Sequence, residues 1–384
     1  MMLRLVATLL TAPAVVHAQG KPPTIAELEA QARADSNDAV AHFNLATALI
    51  KGRRYGDAEQ SLRVAVRIDP QYAPALMLLA QANERQLSGA MAVVVSQRRI
   101  FFMRIDPKAS ENALLRRRAF LIDPLLEIGS PSREMLPVAW RGTLGVALHH
   151  YDRQQWREAI AGFQTVIDRT TRRNDSTKVP PVALWFRART ALQIGDYDGA
   201  IRHLQWLLAL RMQDSTAERM WNPFAGEELR YILAYVHQQA RRWDEAIRRY
   251  EELVEQDLGL DPAHTHMAEI YEAQEQWPRA VQERLRAIHA NPEAASVIFN
   301  LGSTLTSAGR YAEAVPVLER YASAYPRESR SFYLLGVSRI ALGDSAGARD
   351  AFTQYLALAP SRHESQIRDA KERLAALGLD ERKP

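Results

Sequence analysis

Along the C-terminal half of the chain the apolar positions recur in register, and Ala246, Ala280, Ala314 and Ala348 each stand 34 residues apart. The window 295–328 carries Ile298, Leu301-Gly302, Leu305, Gly309-Arg310-Tyr311, Ala314, Leu318, Tyr321 and Pro326. The window 329–362 repeats it with Phe332, Leu335-Gly336, Gly343-Asp344, Ala348, Phe352, Tyr355 and Pro360. Within each window the large residues fall three and four apart in two runs, as the buried stripe of an α-helix requires. Glycine stands where the first run stops and proline where the second does, and both residues end helices. The pattern therefore predicts two antiparallel helices per window. One such pair cannot bury its apolar face alone, so a fixed period of this length predicts pairs stacked on one another. The small residues Gly302 with Ala314, and Gly336 with Ala348, are expected to let the two helices of a pair approach closely.

The same register recurs upstream. Phe43-Asn44-Leu45-Ala46, Tyr55, Ala58, Leu62, Ala65 and Pro70 match it, as do Met267-Ala268, Tyr271, Trp277, Ala280, Ala287 and Pro292. Trp156, Tyr197 and Trp243 each open an acidic-aromatic turn into a second helix, where Asp and Glu favour the positive helix end. Ala92 stands 34 residues after Ala58, but the turn before it is irregular, and this repeat is read as degenerate. A helix is expected near Ala109 to Leu121, followed by a Gly129-Ser130-Pro131-Ser132 loop. Polar insertions fall at 169–178, closed by Pro180-Pro181, and at 211–226.

The order of a large residue, Leu-Gly, aromatic, Ala, aromatic, Ala and Pro resembles the tetratricopeptide repeat family. That resemblance implies an all-α fold, a right-handed superhelical solenoid of antiparallel helix pairs. It divides the chain into N-terminal repeats at 24–137, including the degenerate segment, further repeats at 138–360, and a closing helix at 361–377. On that helix Ile367, Leu374 and Leu377 would cover the last repeat, with Arg362, Arg368 and Arg373 in solvent. In this family the first helix of each pair lines a concave groove. Carrying over the fifth groove position gives Phe43, Leu144, Trp185, Tyr231, Thr265, Phe299 and Tyr333; the ninth gives Arg189, Tyr235, Glu269 and Ser303. Trp185, Arg189, Tyr231, Tyr235, Glu269, Phe299 and Tyr333 are the expected partner-binding residues, because rigid aromatics with interspersed polar groups suit an extended peptide. The same aromatics can equally pack between helices. The lysine and asparagine pair with which some of these grooves capture a C-terminal carboxylate is absent from every repeat.

Composition adds an address. Residues 1–18 run from Arg4 through an apolar stretch, Leu5 to Val16, to Val16-His17-Ala18, the order of a cleaved secretory signal. An exported protein, periplasmic or secreted, is expected, with no membrane span once the signal is removed. With 0 cysteines the chain has no disulfides and no thiolate metal sites. A net charge of +4 on 49 basic and 45 acidic residues gives no reason to expect a nucleic-acid partner. Arg116-Arg117-Arg118 and Arg172-Arg173 read as solvated surface.

Candidate chemistry is sparse. There is no phosphate-binding glycine loop, no nucleophile elbow and no H-E-x-x-H helix: His363-Glu364 begins like the last, but Ile367 stands where the second histidine is needed. His149-His150 and His264-x-His266 point to different faces of a helix and are not read as metal ligands. The sequence thus points to a non-enzymatic exported scaffold without cofactor or metal that binds a protein or peptide. A cell-envelope factor binding glycan or cell-wall polymer is the alternative.

Overall fold

The structure is a computed structural model that describes residues 23–86, 91–96, 99–104, 108–124, 126, 141–171, 179–213, 226–256 and 260–380. The signal sequence at 1–18, the 129–132 loop, and most of the insertions at 169–178 and 211–226 lie outside the described residues. Among them, helix α1 (Ile25–Ala34) precedes eight helix pairs. These are α2 and α3 (Ala39–Lys51, Tyr55–Ile68), α4 and α5 (Ala73–Arg85, Ala109–Ile122), α6 and α7 (Arg141–Asp152, Trp156–Thr171), and α8 and α9 (Pro181–Gln193, Tyr197–Gln213). They continue as α10 and α11 (Gly226–Gln239, Trp243–Gln256), α12 and α13 (Asp261–Ala273, Trp277–Ala290), α14 and α15 (Ala295–Ser307, Tyr311–Ala324), and α16 and α17 (Ser329–Ala341, Ser345–Leu358). A final helix, α18 (Glu364–Asp380), closes the series.

The turn inside a pair is built the same way in every pair but α4 and α5. The N–H three residues past the first helix reaches back five residues: Arg54 to Leu49 O at 2.9 Å, Arg242 to His237 O at 2.9 Å, Gln276 to Tyr271 O at 2.8 Å and Arg310 to Leu305 O at 2.9 Å. This closure puts the preceding residue in the left-handed region. Gly195, Gly309 and Gly343 occupy it, but so do Arg53, Gln154, Arg241 and Glu275, at φ of 60, 59, 57 and 57°. The turn is thus a property of the repeat rather than of glycine. An aromatic opens each of the second helices α3, α7, α9, α11, α13 and α15, as the sequence pattern predicts.

Two expectations are corrected. The degenerate repeat at Ala92 is not helical: Met91–Ser96 (β1) and Arg99–Arg104 (β2) pair antiparallel, with Met91 opposite Arg104 and Ser96 opposite Arg99. This hairpin is inserted between α4 and α5, which still form a pair. The second helix is displaced, and Asn112 takes the fourth position of α5, where the other repeats carry alanine; it accepts from Asn83 Nδ2 at 2.9 Å inside the core. The glycines in first helices also face a different neighbour. A Cβ at Gly302 would meet Leu318 Cδ2 at 2.6 Å and one at Gly336 would meet the Phe352 ring at 2.7 Å, so the close contact is with the large residue one turn after each alanine.

The described residues form two compact units, one from the segments up to Leu126 and from Tyr271 onward, the other from Glu127–Ile270. In the first, two separate apolar clusters are found. One is built on Leu28, Leu45, Ala58, Leu62, Leu76, Leu79 and Leu115, the other on Ile298, Leu301, Leu318, Tyr321, Leu335, Phe352 and Tyr355. Helix α18 joins the second cluster through buried Ala370, with Ile367 and Leu374 packed on it. Its Arg373 is not free in solvent but half-buried, donating to Asp369 at 2.7 Å.

Candidate functional site

The seven residues singled out by the sequence all lie on first helices, but they differ in what they can offer. Trp185 is 1%, Tyr231 3%, Phe299 5% and Arg189 6% exposed, whereas Tyr235, Glu269 and Tyr333 are half-buried. The fifth-position aromatics Trp185, Tyr231 and Phe299 are thus drawn into the helix packing, whereas Tyr333 at the same position and Tyr235 and Glu269 at the ninth keep accessible surface.

In the second unit three of the seven converge. Tyr231 and Tyr235 on α10 flank the ring of His266 on α12, with centroids at 5.8 and 5.2 Å, and Tyr250 of α11 stacks on the same imidazole at 5.5 Å. His266 Nδ1 donates to Glu269 Oε2 at 2.8 Å. Gln238 Nε2 donates to the same oxygen at 3.0 Å, and Tyr250 Oη donates to Gln238 Oε1 at 2.9 Å. Burial pushes the Tyr250 hydroxyl well above its ordinary range, helped by Tyr231 and Glu269, so it stays a neutral donor. The carboxylate of Glu269 is therefore held by two buried groups, His266 and Gln238, the second anchored in turn by Tyr250, while 26% of its side chain faces out. His266 and Glu269 have the form of an acid–base pair. The imidazole, however, is 4% exposed and walled by tyrosines, so the pair orients the carboxylate rather than meeting a substrate. What the surface offers is an aromatic face with a fixed acceptor at its edge.

Trp185 and Arg189 sit one turn apart on α8, the guanidinium 5.6 Å from the indole centroid, and Arg189 Nε donates to Tyr151 Oη at 3.1 Å. These are packing contacts. In the first unit, Phe299 lies beneath the Arg330 guanidinium at 4.9 Å. Tyr333 Oη donates to Asp369 Oδ2 of α18 at 2.7 Å, and burial, then Asp369, raises its hydroxyl above the ordinary range. Gln238 and Tyr250 escaped the sequence reading, in which His266 figures only as a rejected metal ligand. Buried polar residues show up in a sequence only as interruptions of an apolar stripe, and all three sit on otherwise regular repeat positions.

Among the described residues no group of three His, Asp or Glu side chains is placed to hold a metal, and no helix is long and apolar enough to cross a membrane.

Comparison with known proteins agrees with this architecture. One tetratricopeptide repeat model matches residues 25–73, 144–215, 265–329 and 299–363, and a second matches 229–261. Together they cover more than half of the chain, which belongs to the tetratricopeptide repeat family. No curated protein matches it. Among solved structures it is similar to the C-terminal part of a TPR repeat-containing protein from Cytophaga hutchinsonii, at 14% identity and a TM-score of 0.49 over 62% of this chain and 89% of that one. It is similar also to PilW, a type IV pilus biogenesis factor, at 17% identity and a TM-score of 0.41 over 60% and 99%. A third is MamA from Desulfovibrio magneticus RS-1, at 19% identity and 0.34 over 41% and 95%.

Proposed function

We propose that the chain is an exported, non-enzymatic scaffold that binds a protein or peptide segment on its first-helix surface, centred on Tyr235 and Glu269. The observation that carries this reading is the Glu269 carboxylate, fixed by His266 and Gln238 yet half open beside an aromatic face. A preorganised acceptor costs little to use on binding, and an adjacent aromatic supplies apolar area at low entropic cost. The segment it suits carries a basic or amide side chain next to an apolar one. Tyr231 belongs to the support of this surface, Trp185 and Phe299 pack within their own repeats, and Tyr333 offers a second half-open aromatic in the other unit. A protein-interaction role is the usual one for this repeat, and export rests on the N-terminal sequence.

The test compares wild type with Tyr235→Ala/Glu269→Gln in quantitative pull-downs from an envelope extract, with melting temperature measured on the same samples. Loss of a specific captured protein by a double variant that stays fully folded at the assay temperature, its melting temperature lowered by only a few degrees, supports the surface. Full retention of every captured protein by the double variant rejects it.

A further inference from the structure

In a repeat solenoid each repeat touches only its neighbours. The first unit departs from this, because its N-terminal repeats contact its C-terminal repeats across some three hundred residues of sequence. The contacts divide by charge. Asp35, Asp38 and Asp69 lie on the N-terminal side, and Arg327, Arg330 and Arg362 lie opposite. Arg362 Nε donates to Asp38 Oδ1 at 2.8 Å and Arg330 Nη2 to Asp69 Oδ1 at 3.1 Å. Asp35 Oδ2 accepts from both the backbone N and the Oγ of Ser361, each at 2.8 Å. Asn37 Nδ2 donates to the carbonyls of Arg327 at 2.9 Å and Leu358 at 2.6 Å, while Arg327 returns bonds of 3.3 Å to Asn37 Oδ1 and the Ser36 carbonyl.

Two features distinguish this junction from ordinary repeat packing. First, it has no apolar centre: the two hydrophobic clusters of the unit end on either side of it, and neither includes a residue of the other side. Second, the charges keep local partners without it. Arg330 Nε bonds Glu328 of its own helix cap at 2.6 Å and its guanidinium rests on Phe299. Asp38 caps α2 through Val40 N at 2.9 Å, and Asp69 accepts from Gln71 N at 3.0 Å. Parting the two sides therefore leaves no charge buried and alone, which is the condition that makes breaking a buried pair costly. A contact made of partly exposed ion pairs and hydrogen bonds is screened by salt, whereas the apolar stacking within each half is not.

We propose that this junction is a releasable electrostatic clasp, closed at low ionic strength and opened by salt, which separates the N-terminal from the C-terminal repeats without unfolding either. The proposal rests on contacts within one unit and is independent of the partner-binding surface.

The chain contains no cysteine, so two can be introduced for spin labels without background, at the exposed positions Gln31 and Thr353 on opposite sides of the clasp. Interspin distances in the full chain are then measured from low salt to 1 M-scale sodium chloride, with helical content followed by circular dichroism. The expected result is one narrow distance at low salt that gives way to a longer, broader distribution at high salt with helicity unchanged. Arg330→Glu/Arg362→Glu should produce the long distribution already at low salt. Arg327→Gln/Arg362→Gln, which alters no buried charge, should shift the salt midpoint downward even if the first variant fails to fold. An unaltered narrow distance in wild type across the salt series, or in a folded Arg327→Gln/Arg362→Gln variant at intermediate salt, overturns the clasp.

Discussion

Replacing Gly336 with alanine sets two opposed and calculable effects against each other. In the interior of α16, alanine gains about 1 kcal/mol over glycine from backbone entropy alone. The new methyl, however, would lie 2.7 Å from Cε1 and Cζ and 2.8 Å from Cδ1 of Phe352. Carbon atoms rest about 3.5–4.0 Å apart, so the ring must retreat by about 1 Å. Phe352 is 0% exposed, and the Tyr333 ring stands against it at 6.0 Å, so there is no free volume to retreat into. Overpacking of this kind costs about 1–3 kcal/mol, which leaves a net loss of about 1 kcal/mol. Gly145, inside α6, supplies the control, because a Cβ there meets nothing within 4 Å. Gly145→Ala should therefore stabilise by up to about 1 kcal/mol, so the same substitution changes sign with location. Denaturant unfolding followed by circular dichroism reads both. Combining Gly336→Ala with Phe352→Leu should cost less than the sum of the single changes by about 1 kcal/mol, since the smaller side chain gives the methyl its space. A Gly336→Ala variant as stable as Gly145→Ala would refute the packing argument outright.

Three further outcomes follow from the same geometry. Glu275 holds φ of 57° at the turn where its counterparts one and two 34-residue periods on are Gly309 and Gly343, so Glu275→Gly should raise the unfolding free energy by about 1 kcal/mol, measured by denaturant titration. Arg284 is 2% exposed and donates to Glu272 Oε1 at 2.9 and 3.1 Å, so Arg284→Ala should cost about 3–5 kcal/mol while Arg320→Ala, whose pair with Glu293 is exposed, costs under about 1 kcal/mol by thermal melting. Burial acts to raise the Glu59 carboxyl, but bonds from Lys108, Gln86 and Arg63 outweigh it and hold it at about 2. Its contribution, of order 2–3 kcal/mol, is therefore complete above pH 4.5 and lost as pH falls from there toward 2; Glu59→Gln should flatten the stability profile across that interval.

The helix pairs were legible because each depends on local chemistry repeated many times. A glycine or a forced left-handed residue at the turn, an aromatic opening the second helix and a proline after it recur from Tyr55 to Pro360, and the structure uses each for the purpose its chemistry suggests. Where the period alone was followed, it misled. Ala92 kept the 34-residue spacing by coincidence, while the flanking Val93-Val94-Val95 and Ile100-Phe101-Phe102 lack the three-and-four spacing of a helix and instead form two paired strands. The clasp had no sequence signal at all. The helix pattern puts Arg362 in solvent, nothing in the sequence around Asp38 or Asp69 marks a partner so far along the chain, and only the folded chain brings them together.

The candidate surface was legible to a coarser degree, and for a reason that belongs to the architecture. A first-helix residue has a neighbour on either side, so a large side chain at the fifth position can be claimed by the adjacent pair before any partner arrives. Tyr231 shows this: its ring is edge-on to Tyr250 of the same pair at 5.9 Å and lies against His266 of the next at 5.8 Å, leaving 3% of it exposed. The residue one helical turn further, Tyr235, also packs edge-on against His266, at 5.2 Å, but is only half-buried. Sequence periodicity places both on the same stripe and cannot rank them, because the ranking depends on how far the next pair reaches. Substitution can. Tyr231→Ala empties a packed site and should cost about 3 kcal/mol or more of stability, whereas Tyr235→Ala removes a half-open ring and should cost about 1 kcal/mol. Equal losses of melting temperature in the two variants would show that both tyrosines serve only the fold, and the surface around Glu269 would then have no aromatic face to offer a partner.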